Sequence, residues 1–386
     1  MTFNIYSMRR RIHRPSRFFH RLYNPFVKYR RSAVDQLEVN MAEKKGPIDK
    51  KNTTKKDETV EMVRFGGRGS RKTEFRRPTG VAVSQASEIV IADCSNERIV
   101  VCNTRGKVIR MFATAVKGIF TSKPFRPHDV TIDKDGHLWV VGTIIVNEKK
   151  LLSDNLLAQF SSEGRFLTKI DLPLTGVTSG VAVRPGIFTP DPPSVPASSK
   201  KEGSTSKETA NDQRVVYPAN PLEVVFTDQR SRMVERKGYS ESCVNVVIPD
   251  GTPVKVVGPR KTRKPTGVAV NQKGDLYVTD SWLHCVHVFM EGRDVTKKYK
   301  KFGSFGSGDG QLDSPHGICL DRQGDVIVVD RGNWRVSVFD SDGKFLRHVI
   351  TEMTDPYAVA IGPNFLVVTC VGHCGTDTAT IIPYSH

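Results

Sequence analysis

The sequence predicts an all-β fold, a six-bladed β-propeller, and three observations predict it. A six-residue phrase recurs along the chain, the text between its copies reads as short strands joined by tight turns, and the last copy is one strand short. A repeat of this size cannot bury its own apolar faces and must lean on its neighbours, so a fixed repeat predicts one closed object.

The phrase is Pro78-Thr79-Gly80-Val81-Ala82-Val83, and it returns at Pro127–Ile132, Thr178–Val183, Pro265–Val270, Pro315–Leu320 and Pro356–Ile361. The best-preserved unit shows what one copy builds. His316–Leu320 is a short apolar strand ended by the turn Asp321-Arg322-Gln323-Gly324. Asp325–Asp330 is a second strand, rich in the β-branched residues that suit a pleated, buried surface. Arg331-Gly332-Asn333-Trp334 turns the chain into a third strand, Arg335–Phe339. Asp340-Ser341-Asp342-Gly343 is a hairpin signal before the fourth, Lys344–Val349. Four antiparallel strands at this period read as a propeller blade.

The spacings agree with that unit. Pro78 and Pro127 are 49 residues apart, Pro265 and Pro315 are 50, and Pro315 and Pro356 are 41. Pro127 and Pro265 are 138 apart, two blades plus an excess rich in Pro, Ser and Lys. Such text has too little apolar surface to offset chain entropy, which predicts a disordered loop at 185–220 between the first two strands of blade three. Blade six offers Tyr357–Ile361, Phe365–Thr369 and Thr380–Pro383, and Glu61–Phe65 has the character to supply its missing strand. Closure by this N-terminal strand removes the exposed sheet edges of an open ring. The expected division is a basic disordered tail at 1–58 and the propeller at 59–386.

The chain carries 58 Lys and Arg against 41 Asp and Glu, a net charge of +17. Residues 1–58 hold 15 basic and 6 acidic residues, so both halves are basic and favour polyanionic or acidic partners. Residues 1–34 contain nine Arg or Lys, with aromatics between them, and no acid. That composition suits a mitochondrial transit peptide, a phosphate-gripping arm, or a tail of no set role, and the last is the expectation. Met41-Ala42-Glu43-Lys44-Lys45 also reads as a plausible start. No apolar run approaches the roughly 18 residues of a membrane span. Seven cysteines are spread along strands and loops as small hydrophobes. They point to a reducing compartment and a cytoplasmic location.

The strings Asp93–Arg98 and Asp330–Arg335, of the form Asp-Xaa-Xaa-Asn-Xaa-Arg, resemble NHL repeats, as does Phe302–Leu312. The likeness covers roughly residues 60–384 and is similar to the propellers of tripartite-motif NHL proteins. It is strong in blades one, four and five. It is weaker in blade three and in blade two, where Thr143–Asn155 replaces the usual turn. The resemblance implies a recognition module for RNA or protein. The RING, B-boxes and coiled coil usual upstream in such relatives have no match in the 58 residues before the propeller. A part in ubiquitin transfer is therefore expected only in substrate recognition, with the RING on another chain.

Catalysis and cofactors are not expected. His128 and His316 begin the inner strands of blades two and five and face a channel, as ligands of a propeller metalloenzyme would. A catalytic zinc site wants three protein ligands, and the matching positions elsewhere are Thr79, Ser179, Thr266 and Tyr357. Cys370-Val371-Gly372-His373-Cys374 is a tight Cys/His cluster, read as a loop that happens to hold two thiols. Binding is the better expectation. The loop before the first strand and the loop between the second and third emerge on one side of the ring. Asp93 with Arg98, Asp228 with Arg232 and Asp330 with Arg335 read as structural ion pairs on that side, with His284 replacing the arginine in blade four. What remains is Arg76, Arg77, Arg126, Arg230, Arg263, Lys264 and Arg331, with Trp282, Trp334 and Tyr357 among them. Cations that neutralise phosphates beside aromatics on which bases stack predict single-stranded or hairpin RNA as the partner, and acidic protein segments as the alternative.

Overall fold

A computed structural model describes residues 62–116, 124–147, 152–172, 176–184, 222–230, 242–258, 261–291, 299–372 and 377–385. The described strands form six four-stranded antiparallel sheets. Blade one is Pro78–Val83, Ile89–Asp93, Arg98–Cys102 and Val108–Ala113, and blade two is Arg126–Ile132, Leu138–Asn147, Leu152–Phe160 and Phe166–Asp171. Blade three is Gly176–Arg184, Glu223–Arg230, Cys243–Val247 and Pro253–Val257, and blade four is Pro265–Val270, Leu276–Asp280, Cys285–Phe289 and Tyr299–Phe302. Blade five is Ile318–Leu320, Val326–Asp330, Arg335–Phe339 and Phe345–Ile350.

Blade six closes the ring as expected. Pro356–Ile361, Phe365–Cys370 and Thr378–Pro383 are completed by Val63–Gly66, whose Val63 stands opposite Ile381 and whose Gly66 stands opposite Thr378. The outermost strand of the last sheet thus comes from the start of the propeller, and no blade is left one strand short. The latch is also packed: Phe65 meets Phe75 edge-on with ring centres 6.1 Å apart.

The core is cut into six apolar clusters, one at each junction between neighbouring blades. Val and Ile on both faces of the middle strands feed these clusters, so second strands such as Val326–Asp330 are buried at every residue. Both faces of each sheet meet another sheet, which is why these strands read as continuous apolar runs and do not alternate. Fully burying one such side chain contributes about 1.5–3 kcal/mol.

The recurring glycine has a steric cause. A Cβ on Gly267 would lie 2.5 Å from the His316 carbonyl oxygen, and one on Gly317 would lie 2.6 Å from Ala358 Cα. Each innermost strand is therefore pressed against the backbone of the next. Blade two departs from this rule with Asp129, whose Oδ2 accepts the Val181 N–H of blade three at 3.0 Å.

Blades two and three depart from the common unit. In blade two, Thr143–Asn155 replaces the usual turn with a longer hairpin: Thr143 pairs with Asn155, and β-branched residues 143–146 prolong the second strand. In blade three, Arg184 and Glu223 stand opposite each other at the root of the connection between the first two strands. The expected disordered loop, 185–220, lies outside the described residues, as does the tail 1–58.

Candidate nucleic-acid interface

The upper loops of three blades are each built around one buried carboxylate. Asp93 accepts the Arg76 N–H at 2.7 Å, Asn96 Nδ2 at 2.7 Å and Arg98 Nε at 2.8 Å. Asp330 accepts the Asp313 N–H at 2.6 Å, Asn333 Nδ2 at 2.9 Å and Arg335 Nε at 2.8 Å. Each arginine continues to backbone carbonyls of the loop entering its blade. Arg98 donates to Ser70, Arg71 and Glu74, and Arg335 donates to Ser307, Gly308 and Gln311. These ion pairs form as expected, and what they tie down is the incoming loop. Burial pushes both carboxyls up, and the hydrogen bonds only partly offset it. Arg232, the expected partner of Asp228, lies outside the described residues.

Blade four corrects one assignment. Asp280 stands opposite Cys285, so Cys285 occupies the slot of Arg98 and Arg335, not His284. His284 takes the left-handed position that Glu97 and Trp334 hold in their blades, with φ of 53, 53 and 57° respectively. The partner that faces Asp280 instead is His287, whose Nε2 lies 3.5 Å from Asp280 Oδ2. Burial pushes Asp280 up, but His287 and the N–H groups of Arg263 and Leu283 outweigh it and hold the carboxyl below its usual range. A hexapeptide string could not reveal this swap. His287 sits two residues beyond Cys285 on the same strand face, reached by strand periodicity.

Because Asp93 and Asp280 hold the backbone N–H groups of Arg76, Arg263 and Lys264, those side chains project outward, and all three are exposed. The mouth of the central channel on this side is a bowl of about 600 Å³. Arg68, Arg76, Arg77, Lys264 and Arg331 line it, and Asp377 is the one acidic residue among the described residues of the lining. Five of the ten predicted residues meet here: Arg76, Arg77, Lys264, Arg331 and Tyr357. Arg77 is held in the left-handed region at φ 58°, directly before Pro78.

The other predicted residues stand apart from the bowl. Arg126 reaches toward Glu97, with Nε 3.6 Å from Oε1. Arg263, Trp282 and Trp334 are exposed outside it. Arg230 ends the second strand of blade three, and its side chain lies outside what the structure describes. Sequence reading missed Arg68 and Asp377. Arg68 stands before the first phrase, at the place Phe305 holds before blade five. Asp377 stands directly before the third strand of blade six, as Glu97 and Trp334 do in their blades, but the longer spacing from Cys370 hides that register in the sequence. Asp377 is buried, with Oδ2 4.0 Å from Arg68 Nε.

Below the bowl, His316 packs against Tyr357 with ring centres 4.8 Å apart, and the Arg331 guanidinium lies 5.3 Å from the Tyr357 ring centre. Tyr357 is thus engaged from two sides and is not an open platform for a base. His316 Nδ1 donates to the Ser314 carbonyl at 2.9 Å, and burial, then Arg331, lowers its pKa to about 4. His128 Nδ1 donates to the Thr178 carbonyl at 2.5 Å, and burial lowers its pKa too. Both are neutral members of the ring wall. Thr79, Asp129, Ser179 and Thr266 share the waist of the channel with His316 and Tyr357. Burial raises Asp129 to about 7, against the lowering effect of the Val181 and Val130 N–H groups.

Among the described residues, one cluster carries three metal-type groups, Asp133, Asp135 and His137. Its buried member is occupied by the turn: Asp133 Oδ1 accepts the N–H of Asp135 and of His137, and Oδ2 accepts Trp139 Nε1. Cys370 is buried, while His373 and Cys374 of the Cys/His cluster lie outside the described residues. No helix among the described residues is long and apolar enough to cross a membrane.

Fold and site together define a six-bladed β-propeller whose channel opens through a cationic bowl. The family model for the NHL repeat matches residues 75–102, 262–289 and 312–339, in blades one, four and five. The chain carries NHL repeats. It is similar to protein lin-41 of Caenorhabditis elegans, at 60% identity over 45 residues, 12% of this chain and 4% of that protein. It is likewise similar to E3 ubiquitin-protein ligase TRIM71 of Xenopus tropicalis, at 50% identity over 44 residues, 11% of this chain and 5% of that one. The chain thus spans only a small fraction of the curated relatives it matches. Among solved structures, the calcium-binding protein regucalcin of Agrobacterium tumefaciens superimposes with a TM-score of 0.52 at 14% identity, over 82% of this chain and 93% of that one. A likeness at that identity concerns the fold alone.

Proposed function

We propose that this propeller is a non-catalytic recognition module that binds single-stranded or hairpin RNA at its cationic bowl. One observation carries the reading: among the described residues, four arginines and a lysine surround a cavity of about 600 Å³ with a single, buried carboxylate among them. Arginine forks bind phosphate oxygens in pairs, and a walled cavity concentrates the field they create. The waist beneath offers hydroxyls, one carboxyl and one neutral imidazole, His316, which is already spent on a backbone carbonyl, as His128 is on another. That arrangement supports binding over a metal-dependent lyase. Filter binding of randomised RNA pools to the purified chain tests the proposal. Saturable binding that weakens steeply with salt is expected, and its absence at low salt would refute the reading.

A second reading is favoured by the relative named as an E3 ubiquitin-protein ligase. There the same face selects an acidic segment of a protein substrate, and the RING is supplied by another chain. Co-purification before and after nuclease treatment separates the two. Partners lost with the RNA support the first reading, and partners that persist support the second.

A further inference from the structure

Resting on the RNA reading, we infer that the bound strand leaves the bowl across blades four and five, where Trp282, Phe305 and Trp334 form a ledge on which its bases stack. All three are exposed, at 58%, 67% and 37% of their surface. Each is tied to the bowl or to its neighbour through the backbone. The Ser281 N–H donates to the Lys264 carbonyl at 3.0 Å, which sets Trp282 beside a bowl cation. The Trp334 N–H donates to the Arg331 carbonyl at 3.1 Å, which sets Trp334 beside another. Phe305 lies between the two turns. Its ring meets His284 edge-on at 4.7 Å, and Asn333 donates to the carbonyl of Gly306 at 2.8 Å.

The ledge has a direction because the repeat supplies a comparison. Ser95 and Glu97 of blade one hold the places of Trp282 and Trp334, counted from Asp93, Asp280 and Asp330. A strand leaving over blade one meets a hydroxyl and a carboxylate, and one leaving over blades four and five meets three aromatic rings. Every base has a π face, so stacking here is tolerant of sequence, while phosphates stay with the cations. Bases in a duplex are already stacked on each other and gain nothing from the ledge.

The test uses the full chain and three fluorescent probes: a ten-nucleotide oligouridine, an abasic ribose-phosphate decamer and a ten-pair RNA duplex. The oligouridine is expected to bind at least about tenfold more tightly than the abasic strand. Phe305→Ala, Trp282→Ser and Trp334→Asn, the last chosen because Asn accepts the left-handed backbone, should each weaken oligouridine binding roughly 5- to 150-fold. Abasic binding and the salt slope should stay unchanged. Variants that bind oligouridine like the wild type would overturn the ledge and leave the bowl standing. Failure of the wild type to bind any probe would overturn the RNA reading itself. Tryptophan fluorescence of the unaltered protein gives an independent answer, because the third tryptophan, Trp139, is fully buried. Quenching by oligouridine but not by the abasic strand is expected, and equal responses would refute stacking.

Discussion

Arg335→Leu should be among the most damaging single changes in this protein, although Arg335 touches neither the channel nor the bowl. Its side chain is 9% exposed and its partner Asp330 is fully buried. The guanidinium satisfies that carboxylate at 2.8 Å and also donates to Ser307, Gly308 and Gln311 carbonyls at 2.8, 3.1 and 3.0 Å. Leucine fills the space but leaves a buried carboxylate without its cation and releases the loop entering blade five. Breaking a buried pair from one side costs about 3–5 kcal/mol. For a chain of this size that corresponds to a fall in Tm on the order of 10 °C. The loss should also depend on pH. Burial already raises Asp330, and removing the cation raises it further, so the folded variant holds a proton that the unfolded chain releases. A carboxyl raised in the folded state contributes stability at low pH that is lost as pH rises, so the deficit should shrink between pH 8 and pH 5. Scanning calorimetry of both proteins across that range is the assay. A variant melting within about 2 °C of the wild type at pH 8, or a deficit that grows on acidification, would refute the reasoning.

Four further outcomes are expected. Deleting residues 59–66 removes the strand paired with Thr378–Pro383 and uncovers Phe75, so the melt should lose its cooperativity, and a sharp transition near the wild-type Tm would sink the latch. Replacing residues 185–221 with a short Gly/Ser turn should leave the urea midpoint nearly unchanged, because Arg184 clamps the root of that connection to Glu223 and Glu291 at 2.7 Å each. Arg184→Ala should instead cost about 3–5 kcal/mol in the same titration. Asp129→Asn should flatten the pH dependence of stability. With a folded pKa of about 7, Asp129 favours the folded state below its unfolded value near 4 and progressively less as pH rises toward 7, by at most ~4 kcal/mol. An unchanged slope between pH 5 and 8 in the variant would show that the carboxyl is not raised.

Much of the ring was readable because its signals are local and repeated. The Pro-Xaa-Gly-Val phrase marks six inner strands, and the missing fourth strand of blade six pointed back to the residues around Val63. Gly267 and Gly317 explain why the phrase keeps its glycine: the next blade's backbone occupies the space of a Cβ. The site was less readable because it is assembled across blades. Arg76, Arg77, Lys264 and Arg331 could be placed on one rim from loop order alone. Which cations turn toward the axis depends on how each loop is tethered, and Arg126 is drawn aside toward Glu97. Arg68 and Asp377 reach the bowl from the two segments that close the ring, at places that Phe305 and Trp334 hold in blade five but that differ in residue type and spacing. His287 and Phe305 were missed for a related reason. Their roles follow from neighbours across a sheet or a blade junction, which a string of adjacent residues does not display.

The central claim is that the five cations of the bowl hold RNA phosphates, and the salt dependence of binding tests it most directly. Oligouridine affinity should be measured from 50 to 300 mM salt for the wild type and for a Lys264→Gln, Arg331→Gln double variant. Five contacts to a single strand predict a log–log slope of about −3.5, and losing two should bring it to about −2.1. A wild-type slope near zero, or a double variant with the wild-type slope and affinity, would contradict the account.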